Sequence, residues 1–427
     1  MDRRINRREF LAKSGMGIIS IGLMPSYIRK TAPSDRVRIA HIGVGGMGNN
    51  HIRWFAGLPD AEIVALCDLD KTHLSESLKS LSELRPEAKV TGYSDFRKIL
   101  DRKDIDAITC ATPDHWHALV AILAFESGKD VYGEKPLSYD VREGQRMLES
   151  MEKNKRIFQL GTQIHAGENY HRVVEIIQAG GIGNVHTVRL WKTGFSPGLG
   201  FPKVTRPPRE LNWDMWQGVA PVTSYFPERC HRTYRYFLDY SGGVFADFWC
   251  HIADVAFWAV QPEGLKSVIA RGDRTDGIAD APKWVDADFE FDGLKLFWTT
   301  TPPEVPGAGE RNIGAYFEGT KGTLICDYET LEIMINGERM NDIPEIPKTL
   351  SRSPGHQQNF LDSVKSRVLP ESNLPYVRKM TLPMHLAVIS WRLKRKLNWD
   401  DKNARFIGDE EANSLLSRHY RKKWDLL

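Results

Sequence analysis

A chain of 427 residues is too long for one ordinary core and predicts two domains, or three. Its 41% hydrophobic and 26% charged residues are the proportions of a soluble globular protein. The net charge of +3 is too small to argue for nucleic acid or an anionic membrane surface as a partner.

The first 33 residues stand apart from the rest. Arg3, Arg4, Arg7 and Arg8 precede an uncharged stretch, Gly15 to Met24. That stretch has the length of a signal h-region and falls short of the ~20 apolar residues that span a bilayer. The pattern predicts a twin-arginine signal, with the export machinery as partner and a periplasmic or otherwise exported destination. No clear A-x-A site follows, so the segment is either cut near Pro25 to Ala32 or kept as an anchor. This route moves folded cargo, so a chain that takes it folds and loads any cofactor first.

Residues 34–161 alternate short apolar runs with amphipathic stretches. Strands are predicted at Val37–Gly43, Glu62–Cys67, Ile105–Ala111, Asp130–Gly133 and Ile157–Leu160. Helices are predicted near Gly46–Gly57, Lys71–Leu84, Phe96–Asp101, His115–Ser127 and Val141–Lys153. Such alternation requires crossover connections and gives a doubly wound parallel sheet, the Rossmann arrangement. Residues 162–427 have another texture and are assigned to a second α/β domain for substrate binding and oligomerisation. A helix (Glu168–Ala179) leads to strands at Val185–Lys192, Val268–Arg271, Val285–Phe291, Lys295–Thr300, Gly314–Glu318 and Thr323–Cys326. These predict a large, mostly antiparallel sheet with one face covered. Helices near Gln357–Ser366 and Lys379–Leu397 close the chain. The apolar stretch Val244–Val260 carries Asp247, His251 and Asp254 and therefore belongs to a folded interior.

Gly43-x-Gly45-x-x-Gly48 follows a strand and opens a helix, the context that gives this fingerprint its specificity. The first glycine permits the tight turn, the second admits the pyrophosphate to the backbone, and the third lets helix and strand pack closely. Gly46 and Met47 complete the loop, whose unpaired N–H groups suit phosphate. Asp68, twenty residues after Gly48, is placed to accept from a ribose 2′-hydroxyl, so NAD is expected over NADP. Thr112, Pro113, His115 and His117 leave the next central strand and face the cofactor crevice, although the two histidines also read as merely polar residues of a helix start. Glu134-Lys135-Pro136 ends another strand, putting a lysine beside the cofactor. The proline restricts that lysine's backbone and allows a cis bond.

Asp247, His251 and Asp254 are spaced i, i+4, i+7 on one helix face among aromatic residues. A buried carboxylate and imidazole require partners, and substrate hydroxyls would supply them; a buried pair that fixes the helix is the competing reading. Histidine suits removal of a hydroxyl proton at neutral pH. Between Thr193 and Phe237 lies a Pro-, Trp- and Arg-rich insertion without periodicity. Its Trp213, Arg232 and Tyr234 are candidate sugar contacts, with Trp216, Tyr225, Arg229, His231, Arg235 and Tyr236 of like character. A subunit interface and plain core packing have the same composition. Five scattered cysteines without C-x-x-C suggest neither a disulfide framework nor a zinc site, and no metal is expected.

These motifs resemble the glucose–fructose oxidoreductase, inositol dehydrogenase and rhizopine catabolism (Gfo/Idh/MocA) family over nearly everything after the signal. Asn212-Trp213-Asp214-x-Trp216, His356-x-x-Asn359-Phe360 and Gly408 to Asn413 are similar to the exported bacterial branch. The resemblance implies that Lys135, Asp247 and His251 are the catalytic set. His251 would take the hydroxyl proton, Lys135 would polarise that oxygen, and Asp247 would hold substrate and histidine in register. It implies an NAD-dependent oxidoreductase acting on a secondary hydroxyl of a sugar, cyclitol or glycoside, in a homo-oligomer. A redox-neutral glycosidase or lyase and a non-catalytic sugar or nucleotide sensor are the alternatives.

Overall fold

The computed structural model describes residues 35–340 and 346–425. The twin-arginine segment and its cleavage region lie outside the described residues.

Six strands form the first sheet: β1 (Val37–Ile42), β2 (Ala61–Cys67), β3 (Thr91–Tyr93), β4 (Ala107–Cys110), β5 (Asp130–Gly133) and β6 (Phe158–Leu160). Their order is β3-β2-β1-β4-β5-β6 and every pairing is parallel. Helices α1 (Gly46–Ala56), α2 (Lys71–Leu84), α3 (Arg97–Leu100), α4 (His117–Glu126) and α5 (Val141–Asn154) make the connections. Burial on both faces explains why β1 and β4 read as apolar runs rather than alternating ones. The strand order reverses between β1 and β4, and their carboxyl ends open the crevice where ligands bind in such sheets. β3 escapes the sequence reading because it has three residues, none of them fully buried.

After α6 (Glu168–Gln178) comes a ten-stranded sheet in the order β14-β13-β12-β11-β7-β10-β9-β8-β15-β16. Its members are β7 (Val185–Lys192), β8 (Ser267–Arg271), β9 (Asp286–Phe291), β10 (Leu294–Thr299), β11 (Ile313–Gly319), β12 (Gly322–Cys326), β13 (Leu331–Ile335), β14 (Glu338–Arg339), β15 (Leu397–Asp400) and β16 (Arg405–Phe406). β7 and β10 run parallel, and the other neighbours are antiparallel. The expected α/β fold, a parallel Rossmann sheet followed by a large, mostly antiparallel one, is the fold observed.

Two helices stand between β7 and β8: the short α7 (Trp213–Gln217) lies within the insertion, while the long α8 (Gly243–Val260) covers the second sheet. α8 is apolar almost all round because it packs against α6, β7 and β11. The C-terminal helices α9 (His356–Ser366) and α10 (Leu374–Leu393) return toward the first sheet, and α11 (Glu410–Ser414) follows. Phe360 of α9 meets Phe55 and Tyr132 edge-on, closing the face of the Rossmann sheet that α1 leaves open. The last long helix differs from its expected span, Lys379–Leu397. Asn373 caps its start by accepting from the Tyr376 N–H, and Pro375 sits in the first turn. At the other end Lys394 turns left-handed, so Leu397 is free to begin β15.

The insertion carries its own small core. Asn212 caps α7, and Trp213, Trp216, Tyr225, Tyr234, Phe237 and Tyr240 pack together. That cluster fixes the segment from His231 to Arg235 over the carboxyl ends of the Rossmann strands.

Candidate active site

A cavity of about 520 Å³ opens at those strand ends. Gly43, Gly45, Gly46, Met47, Asp68, Thr112, Pro113, Glu134 and Lys135 line it from below, and Trp216, Arg232, Tyr234 and Arg235 from the insertion. Gly43 has φ +78°, and a Cβ there would lie 2.7 Å from the Ala111 carbonyl oxygen. A Cβ on Gly48 would lie 1.9 Å from the Gly43 oxygen, so this glycine packs helix against strand and does not face the cavity. Gly46 has open space where a Cβ would stand. No side chain caps the N-terminus of α1, which leaves its N–H groups to a phosphate.

Asp68 ends β2 with its Oδ2 accepting from the Val44 N–H at 2.8 Å and its Oδ1 from the Asp70 N–H at 2.9 Å. Burial still pushes its carboxyl above the ordinary carboxylate range. Further donors, such as ribose hydroxyls, would favour the charged form. The phosphate cradle, the adjoining carboxylate and the cavity between them fit a dinucleotide.

Two expected cofactor contacts lie elsewhere. His115 is fully buried, with Nε2 3.0 Å from the Trp216 carbonyl, and His117 is held between the carbonyls of Thr112 and Pro136. Pro113 ends the strand run and residues 114–116 form a tight 3-10 turn, which rotates both rings into the protein. Trp213 is also absent from the cavity wall: it stacks on Trp216 at 4.9 Å and donates to the Thr223 carbonyl. Asp114 works as a buried anchor, accepting from Tyr234 OH at 2.9 Å and Ser241 OH at 2.5 Å.

At the floor, Glu134 bonds His51 Nε2 at 2.9 Å, and a side chain at Gly161 would collide with it. The Lys135–Pro136 bond is cis. Lys135 Nζ reaches across to α8, donating to Asp247 Oδ1 at 2.6 Å and to the Asp247 carbonyl at 2.9 Å. Arg235 Nε adds a second bond to Asp247 Oδ1 at 3.1 Å. Burial alone would raise the Asp247 carboxyl; Lys135 and then Arg235 outweigh it and hold it down at about 2.

His251 lies one turn further along α8, half-buried, with Nδ1 3.0 Å from the Tyr328 hydroxyl. Burial, and then the Lys135 charge, push its imidazole down to about 4. Among the described residues no hydrogen bond joins Asp247 to His251; Asp247 serves Lys135 and Arg235, and Tyr328 serves the histidine. Tyr328 sits in the turn after β12, held by Asn169, which donates to the Asp327 and Thr330 carbonyls at 2.9 Å each. No motif marked it, since the sequence separates it from His251 by 77 residues. Asp254 leaves the group: it is fully buried and bonds His165 at 3.0 Å and Tyr376 OH at 2.5 Å, tying α8 to the segment before α6 and to α10.

A Rossmann crevice whose Lys135 pairs with a carboxylate on a helix of a second, sheet-bearing domain, one turn from a histidine, defines a dinucleotide-dependent enzyme of two-domain design. Residues 37–162 match the family profile described as "Oxidoreductase family, NAD-binding Rossmann fold", and residues 182–426 match "Oxidoreductase family, C-terminal alpha/beta domain". The chain belongs to this Gfo/Idh/MocA oxidoreductase family and uses NAD.

A protein of Shewanella pealeana named "Glycosyl hydrolase family 109 protein" is 30% identical over 203 residues, 43% of this chain and 44% of the relative. The chain thus matches less than half the length of such curated relatives. Among solved structures, the WlbA dehydrogenase of Bordetella pertussis, in complex with NADH and UDP-GlcNAcA, is 19% identical with a TM-score of 0.63, covering 86% of this chain and 99% of that one. A levoglucosan dehydrogenase in complex with NADH and levoglucosan is 18% identical with a TM-score of 0.61, over 85% of this chain and 99% of that one. At these identities the likeness is one of fold.

Proposed function

We propose that this protein is an exported, NAD-dependent oxidoreductase that oxidises a secondary hydroxyl of a sugar, cyclitol or glycoside, as a homo-oligomer. The observation that carries the reading is the Lys135–Asp247–Arg235 group, whose Lys135 and Arg235 line the dinucleotide crevice, with His251 one turn along α8 from Asp247. NAD, when bound, supplies the hydride acceptor.

Asp247 keeps the Lys135 ammonium charged against the cost of burial. That ammonium stabilises negative charge as it develops on the substrate oxygen. With its pKa at about 4, the His251 imidazole is neutral at pH 7, the form that accepts a proton. For Nε2 to accept, Nδ1 must keep its hydrogen and donate it to the Tyr328 oxygen. Tyr328 thereby fixes the ring's orientation, and its hydroxyl can accept in the tautomer that proton removal requires. Arg232 and Tyr234, on the cavity wall, are the substrate contacts of this scheme, and Trp213 supports them from behind Trp216.

The relatives named for glycosyl hydrolase family 109 favour a second reading: a redox-neutral glycosidase in which oxidation acidifies a neighbouring C–H, elimination follows, and the hydride is returned. Purified protein with its bound cofactor separates the two. A net dehydrogenase releases a keto-sugar and stops after one turnover without an acceptor. Sustained glycoside cleavage without added acceptor, with solvent deuterium in the product, would overturn the first reading.

A further inference from the structure

We propose that Asp70, His73 and His231 bind one divalent transition-metal ion of zinc type, and that this ion clasps the insertion to the Rossmann domain at the rim of the crevice. The three side chains come from two parts of the fold. Asp70 caps the start of α2, where its Oδ1 accepts from the Thr72 N–H at 2.7 Å. His73 stands in the first turn of the same helix, and His231 arrives from the insertion. A donor atom from each lies within 4.8 Å of the others.

Asp70 Oδ2 and His231 Nε2 are 3.1 Å apart, while two tetrahedral ligands at about 2.1 Å from zinc stand about 3.4 Å apart. Two donors, joined here by a hydrogen bond, stand close to that spacing, and a donor atom of His73 lies within 4.8 Å of both. The imidazole centroids are 4.3 Å apart, tilted by 51°, too oblique for ordinary stacking.

Charge favours a cation at this place. Asp68 adds a second carboxylate, with Oδ2 3.9 Å from His73 Nδ1. Among the described residues neither Asp68 nor Asp70 pairs with a lysine or arginine; both face the two histidines. His73 and His231 both line the cavity, so an ion can enter, and three protein ligands leave a fourth position for water. A carboxylate with two histidines is an oxygen and nitrogen donor set suited to zinc and its first-row neighbours.

The test uses the full chain with NAD bound, freed of any affinity tag and dialysed against a chelator. Zn²⁺ alone is titrated calorimetrically, and bound zinc is counted by elemental mass spectrometry. The expected result is one zinc per chain, with binding weakened at least about tenfold in Asp70→Asn, His73→Ala and His231→Ala. Zinc should also raise the melting temperature of the wild type and not of His231→Ala, which loses only a half-exposed side chain and keeps its fold. Absence of saturable binding to the wild type, or binding unchanged in all three variants, would overturn the proposal. Neither measurement depends on turnover, so the result stands apart from the assignment of substrate.

Discussion

Replacing Asp247 with asparagine removes the charge that holds the floor of the crevice together while keeping its shape. The magnitude follows from the carboxyl's descent from an ordinary 3.8 to about 2. A shift of that size is worth about 2 kcal/mol of preference for the charged form. Its side chain is 19% exposed, so solvent screens little of that energy. Asp247→Asn should therefore destabilise the fold by about 2 kcal/mol at pH 7, and Lys135→Met by a similar amount because a buried carboxylate is left with Arg235 alone. The double variant should fall short of the sum by on the order of 1 kcal/mol or more, since each partner's loss already removes the pair. A pH series adds a second test. The folded pKa lies below the unfolded one, so the unfolded chain takes up this proton first on acidification. The stabilisation is complete above the unfolded value and is lost as the pH falls from 3.8 through about 2. Urea titrations at fixed NAD measure all four proteins, and one transition is expected because the main apolar cluster runs without a break through both sheets. Additive variants, or an Asp247→Asn protein as stable and as acid-sensitive as the wild type, would refute the ion-pair argument.

Four further outcomes are expected. Asp68→Ala should weaken NAD binding and narrow its preference over NADP, measured by fluorescence titration; a wild type that prefers NADP would remove Asp68 from the ribose. His251→Ala should lower kcat by orders of magnitude with NAD retained, and Tyr328→Phe by less. The wild-type kcat/KM should hold from neutral pH to roughly 5 and then fall as the imidazole protonates, so an acid limb centred near 6.5 would contradict its burial. Changing both Arg7 and Arg8 to lysine should leave the protein folded and cofactor-loaded in the cytoplasm; normal delivery in a fractionation assay would remove the export proposal.

The Rossmann half was legible because its signals are local. Gly43, Gly45 and Gly48 carry their meaning within six residues, and the alternation of strands and helices follows from short-range periodicity. The glycine loop, Asp68 and Lys135, singled out that way, all stand on the cavity wall. His115 and His117 misled for a related reason: sequence places them after a strand that feeds the crevice, but a single 3-10 turn decides which way their rings point. Trp213 had the right composition and the wrong side of the cluster. What stayed hidden was long-range. Tyr328 reaches His251 through a turn fixed by Asn169, and His231 meets Asp70 across 161 residues of sequence, so no spacing rule could suggest either.

Those long-range contacts also bear on how the site comes into being. Lys135 ends a Rossmann strand, Asp247 belongs to the helix of the second domain, and Arg235 comes from the insertion. A lysine taken from water without a partner is driven toward its neutral form, and a buried carboxylate is driven to take up a proton. Each group reaches the charge that the proposed chemistry requires only when all three pieces have docked. The charged floor is therefore a product of domain closure rather than of either domain alone. If the proposed export holds, the cofactor is loaded first and this coupling has a direct consequence. The same docking that seats the insertion over the crevice completes the lysine–carboxylate pair, so a chain with a closed crevice is also a chain with its charges set.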